Sequence, residues 1–358
     1  MAEQLKNVYT KEYIGNLANK IKEYYSSFDE EKFCKEIFDS SWESLELKQR
    51  MRHIAIVLNN NIKLEYKKQL EVLKLVSKYF YSFEAMFFQD FVEVYGLDDY
   101  ENSIQALEIF TLESSSEFAI RQFILKEENK TMSQLKLWAK SENEHLRRLA
   151  SEGCRPRLPW AVALPNFKKN PKKVLEIIEL LKNDKSKYVQ KSVANNLNDI
   201  SKDNPKFVIE FIKSNLGKTK ELDWICKHAA RTLLKKADKE ILVLFGYEKS
   251  KHVKINNFLC KDSLLLGEEL LFSFDLISEN EPLGKLRVEY CISYLKANGL
   301  YSNKIFIINQ NEIKTLKKSF FKKQSFKNMT TRKHYKGKHK ISILVNSLIL
   351  LEHDFVLK

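Results

Sequence analysis

The sequence predicts a mainly α chain that ends in β structure: a helical-repeat solenoid over residues 1–250, then a small all-β sandwich over 251–358. Three observations carry this. Apolar residues recur at helical spacing up to about residue 246, and from about 254 they alternate in twos. Helical segments echo one another at intervals of roughly 35–45 residues, as stacked helix pairs do. The chain is 358 residues long with only nine Gly and six Pro, which suits two domains of roughly 100–200 residues and argues against a loop-rich fold.

In the first half, "LKQRMRHIAIVLNN" and "SFEAMFFQDFVEVYG" are consistent with early helix pairs. The periodicity is plainest in "NPKKVLEIIELLKND", with apolar residues at 174, 175, 177, 178, 180 and 181. The next helix aligns Val189, Val193, Leu197 and Ile200 on one stripe. "NPKFVIEFIKSN" then opens with the same Asn-Pro-Lys, Asn204 lying 34 residues after Asn170. Each Asn is placed to cap a helix, and the Pro after it falls where its missing N–H costs nothing. "HLRRLAS", "YVQKSVA" and "WICKHAA" share an apolar residue, a basic one two places on, and small residues at the end. Such recurring pairs predict an α-solenoid of the HEAT type.

The second half reads differently. "ELLFSFDLIS", "KLRVEYCISYLKA", "NKIFIIN" and "HKISILVNSLILLEHDFVL" alternate, with Asn298-Gly299 and Lys336-Gly337 as turn signals. Six or seven short strands predict an immunoglobulin-like sandwich. Between 313 and 340 there are eleven Lys and Arg and no Asp or Glu. That run is either a solvated face or a phosphate-contacting patch, since basic side chains gain affinity by releasing counterions.

Composition narrows the function. The net charge of +14 favours a polyanionic partner. Five scattered cysteines form no CxxC pair, and seven histidines form no HExxH, so no metal or cofactor is expected and the thiols suit a reducing, cytoplasmic setting. No apolar run reaches the ~18–20 residues of a membrane span, and the N-terminus lacks the apolar block of a signal peptide.

One stretch holds the candidate chemistry. "LRRLASEGCRPRLPWA" (146–161) places Glu152 among Arg147, Arg148, Arg155 and Arg157, followed by Trp160. His145–Glu152 reads as the second helix of a repeat, with Gly153 able to end it, so Glu152 stands at the mouth of a turn. Guanidinium forks suit phosphate oxygens. The plain alternative is a surface pair between Glu152 and Arg148, four residues apart, with Trp160 in the core. On the next repeat Ser192, Asn195 and Asp199 recur at three and four, on a different face from the apolar stripe. Residues on one face of successive second helices converge on a concave surface. Glu117 is a third acid, in Ser114-x-x-Glu117, which also reads as a capping box.

These segments carry a resemblance. "SEFAIR" (116–121), "SENEHLRRLASEGCRPRLPWA" (141–161) and "SVANNLNDISKDNP" (192–205) resemble the AlkC branch of the AlkC/AlkD DNA alkylation-repair glycosylases. "NMTTRKHYKGKHKISILVN" (328–346) resembles the immunoglobulin-like domain appended to some members. The resemblance implies a solenoid that clasps damaged duplex DNA and hydrolyses the N-glycosidic bond of alkylated bases such as 3-methyladenine and 3-methylcytosine. It implies Glu117, Glu152 and Asp199 as catalytic acids and Trp160 as an aromatic wall for the base. Arg147, Arg148, Arg155, Arg157 and Lys191, with Arg332, Lys333 and Lys336 of the β half, are the expected DNA contacts, in a chain expected to act as a monomer. Two other readings fit the charge and repeats: a non-catalytic HEAT-repeat scaffold that binds nucleic acid, and a protein-interaction solenoid.

Overall fold

The structure is a computed structural model and describes residues 4–247, 251–329 and 332–358. Ser250, at the expected 250/251 boundary, and the Thr330-Thr331 pair of the C-terminal motif lie outside the described residues. The chain divides into two compact units, 1–229 and 230–358.

The first unit is built of helices. In chain order these are α1 (Lys11–Tyr24), α2 (Glu30–Ile37), α3 (Leu47–Asn61), α4 (Tyr66–Val76), α5 (Phe87–Tyr95), α6 (Tyr100–Phe110), α7 (Ile120–Lys126), α8 (Glu128–Trp138), α9 (Glu144–Gly153), α10 (Pro165–Lys169), α11 (Lys172–Leu181), α12 (Lys187–Asp203), α13 (Pro205–Asn215) and α14 (Lys220–Ala229). Helix α12 is the hub of the later repeats, packing against α9, α13 and α14. Its stripe of Val189, Val193, Leu197 and Ile200 is buried as the spacing predicts. Each such side chain contributes roughly 1.5–3 kcal/mol of apolar burial.

Local chemistry departs from the sequence reading at three places. Pro205 does sit in the first turn of α13, but the Asn204 side chain caps nothing; its Nδ2 donates to the Lys168 carbonyl at 2.7 Å and ties neighbouring repeats. Asn170 closes the short helix α10, and its Oδ1 accepts from Lys172 N at 3.2 Å. Ser114 and Glu117 form no capping box. Instead Ser115 Oγ donates to Glu117 Oε2 at 2.8 Å, and α7 starts three residues later with no side-chain cap.

Gly153 does end α9, though close approach is what requires it. A Cβ there would lie 2.6 Å from Ile120 Cγ2 of α7. Gly153→Ala is therefore expected to destabilise the helical unit by about 1–3 kcal/mol, the usual cost of overpacking. A lower urea midpoint with unchanged slope would register it, and an unchanged midpoint would count against the packing described.

The second unit opens with α15 (Arg231–Lys235) and α16 (Lys239–Leu244). The compact division thus falls some twenty residues before the expected break. These helices lead to Tyr247, whose hydroxyl donates to the Gln310 carbonyl at 3.3 Å and whose ring lies under Lys285 Nζ. The strands are β1 (Lys254–Cys260), β2 (Ser263–Leu264), β3 (Glu269–Ile277), β4 (Gly284–Lys285), β5 (Val288–Leu295), β6 (Tyr301–Asn309), β7 (Glu312–Ile313), β8 (Lys317–Ser325), β9 (Gly337–Val345) and β10 (Leu348–Leu357). They form a three-stranded sheet, β1-β3-β8, a five-stranded sheet, β2-β10-β9-β5-β6, and the small pair β4-β7. The two larger sheets enclose one apolar core that includes Leu270, Phe272, Phe274, Val288, Ile292, Ile341 and Phe355. Strand β8, "KKSFFKKQS", lies in the lysine-rich run. It pairs with β3 in continuous antiparallel register.

Candidate functional site

The three expected acids come together around two arginines. The Arg155 guanidinium is the centre: Nη1 donates to Glu152 Oε1 at 2.5 Å and Nε to Asp199 Oδ2 at 2.8 Å. Ser192 Oγ of α12 donates to the other Glu152 oxygen at 2.6 Å. Lys202 Nζ holds Asp199 Oδ1 at 2.7 Å. Arg148 reaches Glu117 Oε2 at 2.6 Å, with Glu152 Oε1 at 3.8 Å, and its fork lies over the Tyr188 ring at 4.8 Å. The Arg148–Glu152 pair expected as the plain surface reading is the longest of these ion pairs. Glu152 is 5% exposed and Asp199 1%, so neither is a solvated surface acid.

The arrangement has a near-balanced charge. Glu117, Glu152 and Asp199 face Arg148, Arg155 and Lys202, and burial of such ions is tolerable only when paired and hydrogen-bonded. Burial alone would lower the pKa of Arg155; Glu152 and Asp199 outweigh it and raise the value. Of the six carboxylate oxygens, Glu117 Oε1 is the one without a hydrogen bond or ion pair among the described residues.

Sequence reasoning missed what holds this arrangement in place. Arg121 lies in the quoted "SEFAIR" and is wholly buried. It makes no ion pair with any carboxylate among the described residues. Its Nη1 donates to the Gly153 carbonyl at 3.0 Å and the Arg155 carbonyl at 2.7 Å, and its Nε to the Val162 carbonyl at 2.7 Å. Both ends of the turn that carries Arg155, Arg157 and Trp160 are thus pinned by one side chain. Burial pulls its pKa down to about 10, so it stays charged at neutral pH.

Trp160 is not in the core: it is 70% exposed. Its backbone sits at φ +63°, a left-handed conformation that costs a residue with a Cβ on the order of 1–3 kcal/mol. Lys48 Nζ donates to its carbonyl at 2.7 Å and lies over the Phe118 ring at 4.4 Å. An indole this exposed is a surface open to a ligand.

The remaining expected contacts divide. Arg147 forks onto Asp184 at 2.6 and 3.1 Å and donates to the Ser141 and Glu142 carbonyls. It braces the start of α9. Arg157 makes a bidentate pair with Asp203 at 2.7 and 2.6 Å but remains part-exposed. Lys191 lines a cavity of about 370 Å³ with Lys187, Gln190, Lys220, Glu221 and Trp224. Trp224 stacks on His228 at 4.9 Å, and His228 meets Asn195, the middle member of the polar row, at 3.2 Å. In the β unit Arg332 covers the Tyr294 ring at 5.3 Å, while Lys333 and Lys336 are exposed.

Cys154 follows the site helix directly. Its Sγ donates to the Ala150 carbonyl at 3.2 Å and accepts from Asn196 Nδ2 at 3.6 Å, and burial pushes the thiol up to about 12. No group of three His, Cys, Asp or Glu placed to hold a metal occurs among the described residues, and no described helix is long and apolar enough to cross a membrane.

Comparison with known proteins places this geometry. Residues 12–241 match the model of the DNA alkylation repair enzyme family. Residues 254–358 match that of the C-terminal Ig-like domain of the uncharacterised protein YhaZ. The Bacillus subtilis protein YhaZ is 42% identical over 353 residues, covering 98% of each chain. The structure of the Pseudomonas fluorescens alkylpurine DNA glycosylase AlkC, bound to DNA containing an abasic site analogue, is similar with a TM-score of 0.95 at 36% identity. The match covers 99% of this chain and all of that one.

Proposed function

The chain belongs to the DNA alkylation repair enzyme family, and on that premise we propose that it is a DNA glycosylase, releasing alkylated, cationic bases from duplex DNA by hydrolysis of the N-glycosidic bond. The observation that carries this reading is the convergence of Glu117, Glu152 and Asp199 from separate helical repeats on two arginines, with an exposed tryptophan on the turn that follows.

The chemistry follows from charge. Alkylation at a ring nitrogen makes the base a cationic leaving group, and the departing bond leaves positive charge on the sugar. A carboxylate favours that developing oxocarbenium more than the ground state, which lowers the barrier. Glu152 supplies this field from the helix end. Glu117, with its open Oε1, orients a water toward the anomeric carbon, as a carboxylate does in glycoside hydrolysis. Asp199 fixes Arg155 and through it Glu152. The Trp160 face suits a cationic base, a cation–π contact being worth roughly 0.5–2 kcal/mol. Arg157, Lys191 and the basic β surface contact phosphates and set register.

The test is direct. Duplex carrying 3-methyladenine or 3-methylcytosine is expected to yield free base and an abasic strand on incubation with the chain. Salt-sensitive binding without release would instead support the non-catalytic scaffold. Trp160→Ala is expected to leave the urea midpoint within about 0.5 kcal/mol, as at other exposed positions. It should weaken selection of the cationic lesion about 2- to 30-fold, as the size of a cation–π contact implies. Equal rates for Trp160→Ala and wild type on both lesions would remove the tryptophan from the reading.

A further inference from the structure

Trp160 occupies a place in its turn that a tryptophan does not favour. Pro159 and Trp160 are the middle residues of a β-turn, closed by Ala161 N–H donating to the Leu158 carbonyl at 3.3 Å. Proline suits the second position of both common turn forms, because its ring fixes φ near the required value. The forms differ at the third position. Type I places that residue at negative φ, which tryptophan adopts freely, whereas type II demands positive φ, which favours Gly or Asn. Trp160 sits at φ +63°. The dipeptide therefore has a relaxed alternative with the same closing hydrogen bond, and the strained form needs support from outside the turn.

Lys48 gives that support. Its Nζ donates to the Trp160 carbonyl at 2.7 Å across 112 residues of sequence. The same ammonium lies 4.4 Å from the centre of the Phe118 ring, and Phe118 directly follows Glu117. One side chain thus bridges the segment that carries Glu117 and the turn that carries Trp160. Its root is well fixed: Lys48 is the second residue of α3, and the first turn of that helix is tied back by Gln49, whose Oε1 accepts from Glu46 N at 2.8 Å. Helix stability does not call for a cation there, since the N-terminal end of the dipole disfavours positive charge. Nor does an ion pair account for it, because Lys48 makes none among the described residues. Its ammonium goes to a carbonyl and an aromatic face instead.

We propose that Lys48 is a positioning residue for Trp160. By holding the Trp160 carbonyl it keeps the turn in the positive-φ form, and so sets the direction of the indole that meets the alkylated base. This rests on the reading of Trp160 as the wall for a cationic base and goes beyond it in naming what sets the pose of that wall. Without the bond the turn relaxes to negative φ and the indole swings to a new direction.

The experiment uses the full chain labelled with 5-fluorotryptophan, the Trp160 resonance being identified by its loss in Trp160→Phe. Lys48→Met is expected to move or broaden that resonance and to leave the signal of the buried Trp138 in place. Lys48→Arg, which still offers a charged donor to the carbonyl, is expected to restore the wild-type signal. Single-turnover release of 3-methyladenine at saturating enzyme is followed in parallel. Lys48→Met is expected to slow it by about 2- to 30-fold, up to the effect of Trp160→Ala, because it acts only through the cation–π contact it orients. The urea midpoint should not move, as suits an exposed lysine. Adding Lys48→Met to Trp160→Ala should cost nothing further, since residues that act as one unit are not additive. A full extra loss in the double variant overturns the proposal. So does an unmoved Trp160 signal in Lys48→Met, whether release is unchanged or the salt slope of duplex binding falls by about 0.9, the latter marking Lys48 as a phosphate contact in its own right. A wild type that releases no base defeats the glycosylase reading, and the Trp160 signal alone then decides whether Lys48 sets the turn.

Discussion

Glu152→Gln is expected to slow release of an alkylated base about a thousandfold without weakening the grip on duplex. A carboxylate about 4 Å from a developing positive charge, at an effective dielectric near 20, is worth on the order of 4 kcal/mol, and each 1.36 kcal/mol is about tenfold in rate. The amide keeps the shape and can still accept from Ser192, whose hydroxyl lies 2.6 Å from Glu152 Oε2. What it loses is the charge that faces Arg155. The freed guanidinium adds positive potential beside the strand, so affinity for undamaged duplex should stay the same or rise. Single-turnover release measured beside anisotropy separates the two effects. A variant that binds several-fold more weakly and releases base at the wild-type rate once saturated would show that Glu152 is a binding or folding residue only.

Arg121→Met carries the second large effect, on stability and activity together. The substitution leaves the carbonyls of Gly153, Arg155 and Val162 without the donors they meet at 3.0, 2.7 and 2.7 Å. Hydrogen bonds from a charged donor contribute about 1.5–3 kcal/mol each. Part of that is recovered, because methionine fills the space without the cost of burying an ion. A net loss of about 3 kcal/mol is expected, read as a lower urea midpoint. Arg121→Lys distinguishes positioning from mere support. Lysine keeps the charge but is a single point donor, so it cannot span both ends of the turn. Its stability should lie between the other two, while release at saturating substrate falls with little change in KM, because the turn that aims Arg155 and Trp160 is loosened. If Arg121→Lys turns over like wild type, the clasp has no part in the chemistry.

The two-part architecture was legible in the sequence because periodicity changes near residue 250 from helical to alternating, and periodicity reports burial directly. The gathering of Glu152 and Asp199 could be anticipated because both stand on second helices of adjacent repeats, where the fold itself brings one face together. Other features depend on contacts remote in the chain. Arg147 and Arg148 are neighbours of the same type, yet one turns to Asp184 and the other to Glu117; only the packing of α9 separates their fates. Arg121 gave no signal, since its partners are backbone carbonyls some thirty to forty residues on. Trp160 alone read as core, and its exposure follows from a backbone conformation that spacing does not encode. Strand β8 was hidden because its lysines and phenylalanines fall in adjacent pairs, so no apolar alternation shows, on an edge where charge guards against unwanted pairing.

The buried thiol beside the site has a chemical consequence for a protein of this family. Small methylating electrophiles that damage bases also attack sulfur, and they attack the thiolate. Burial pushes the Cys154 thiol up to about 12, so the attacking thiolate is scarce near neutral pH. The thiol that directly follows the site helix is thus kept in its unreactive, protonated form.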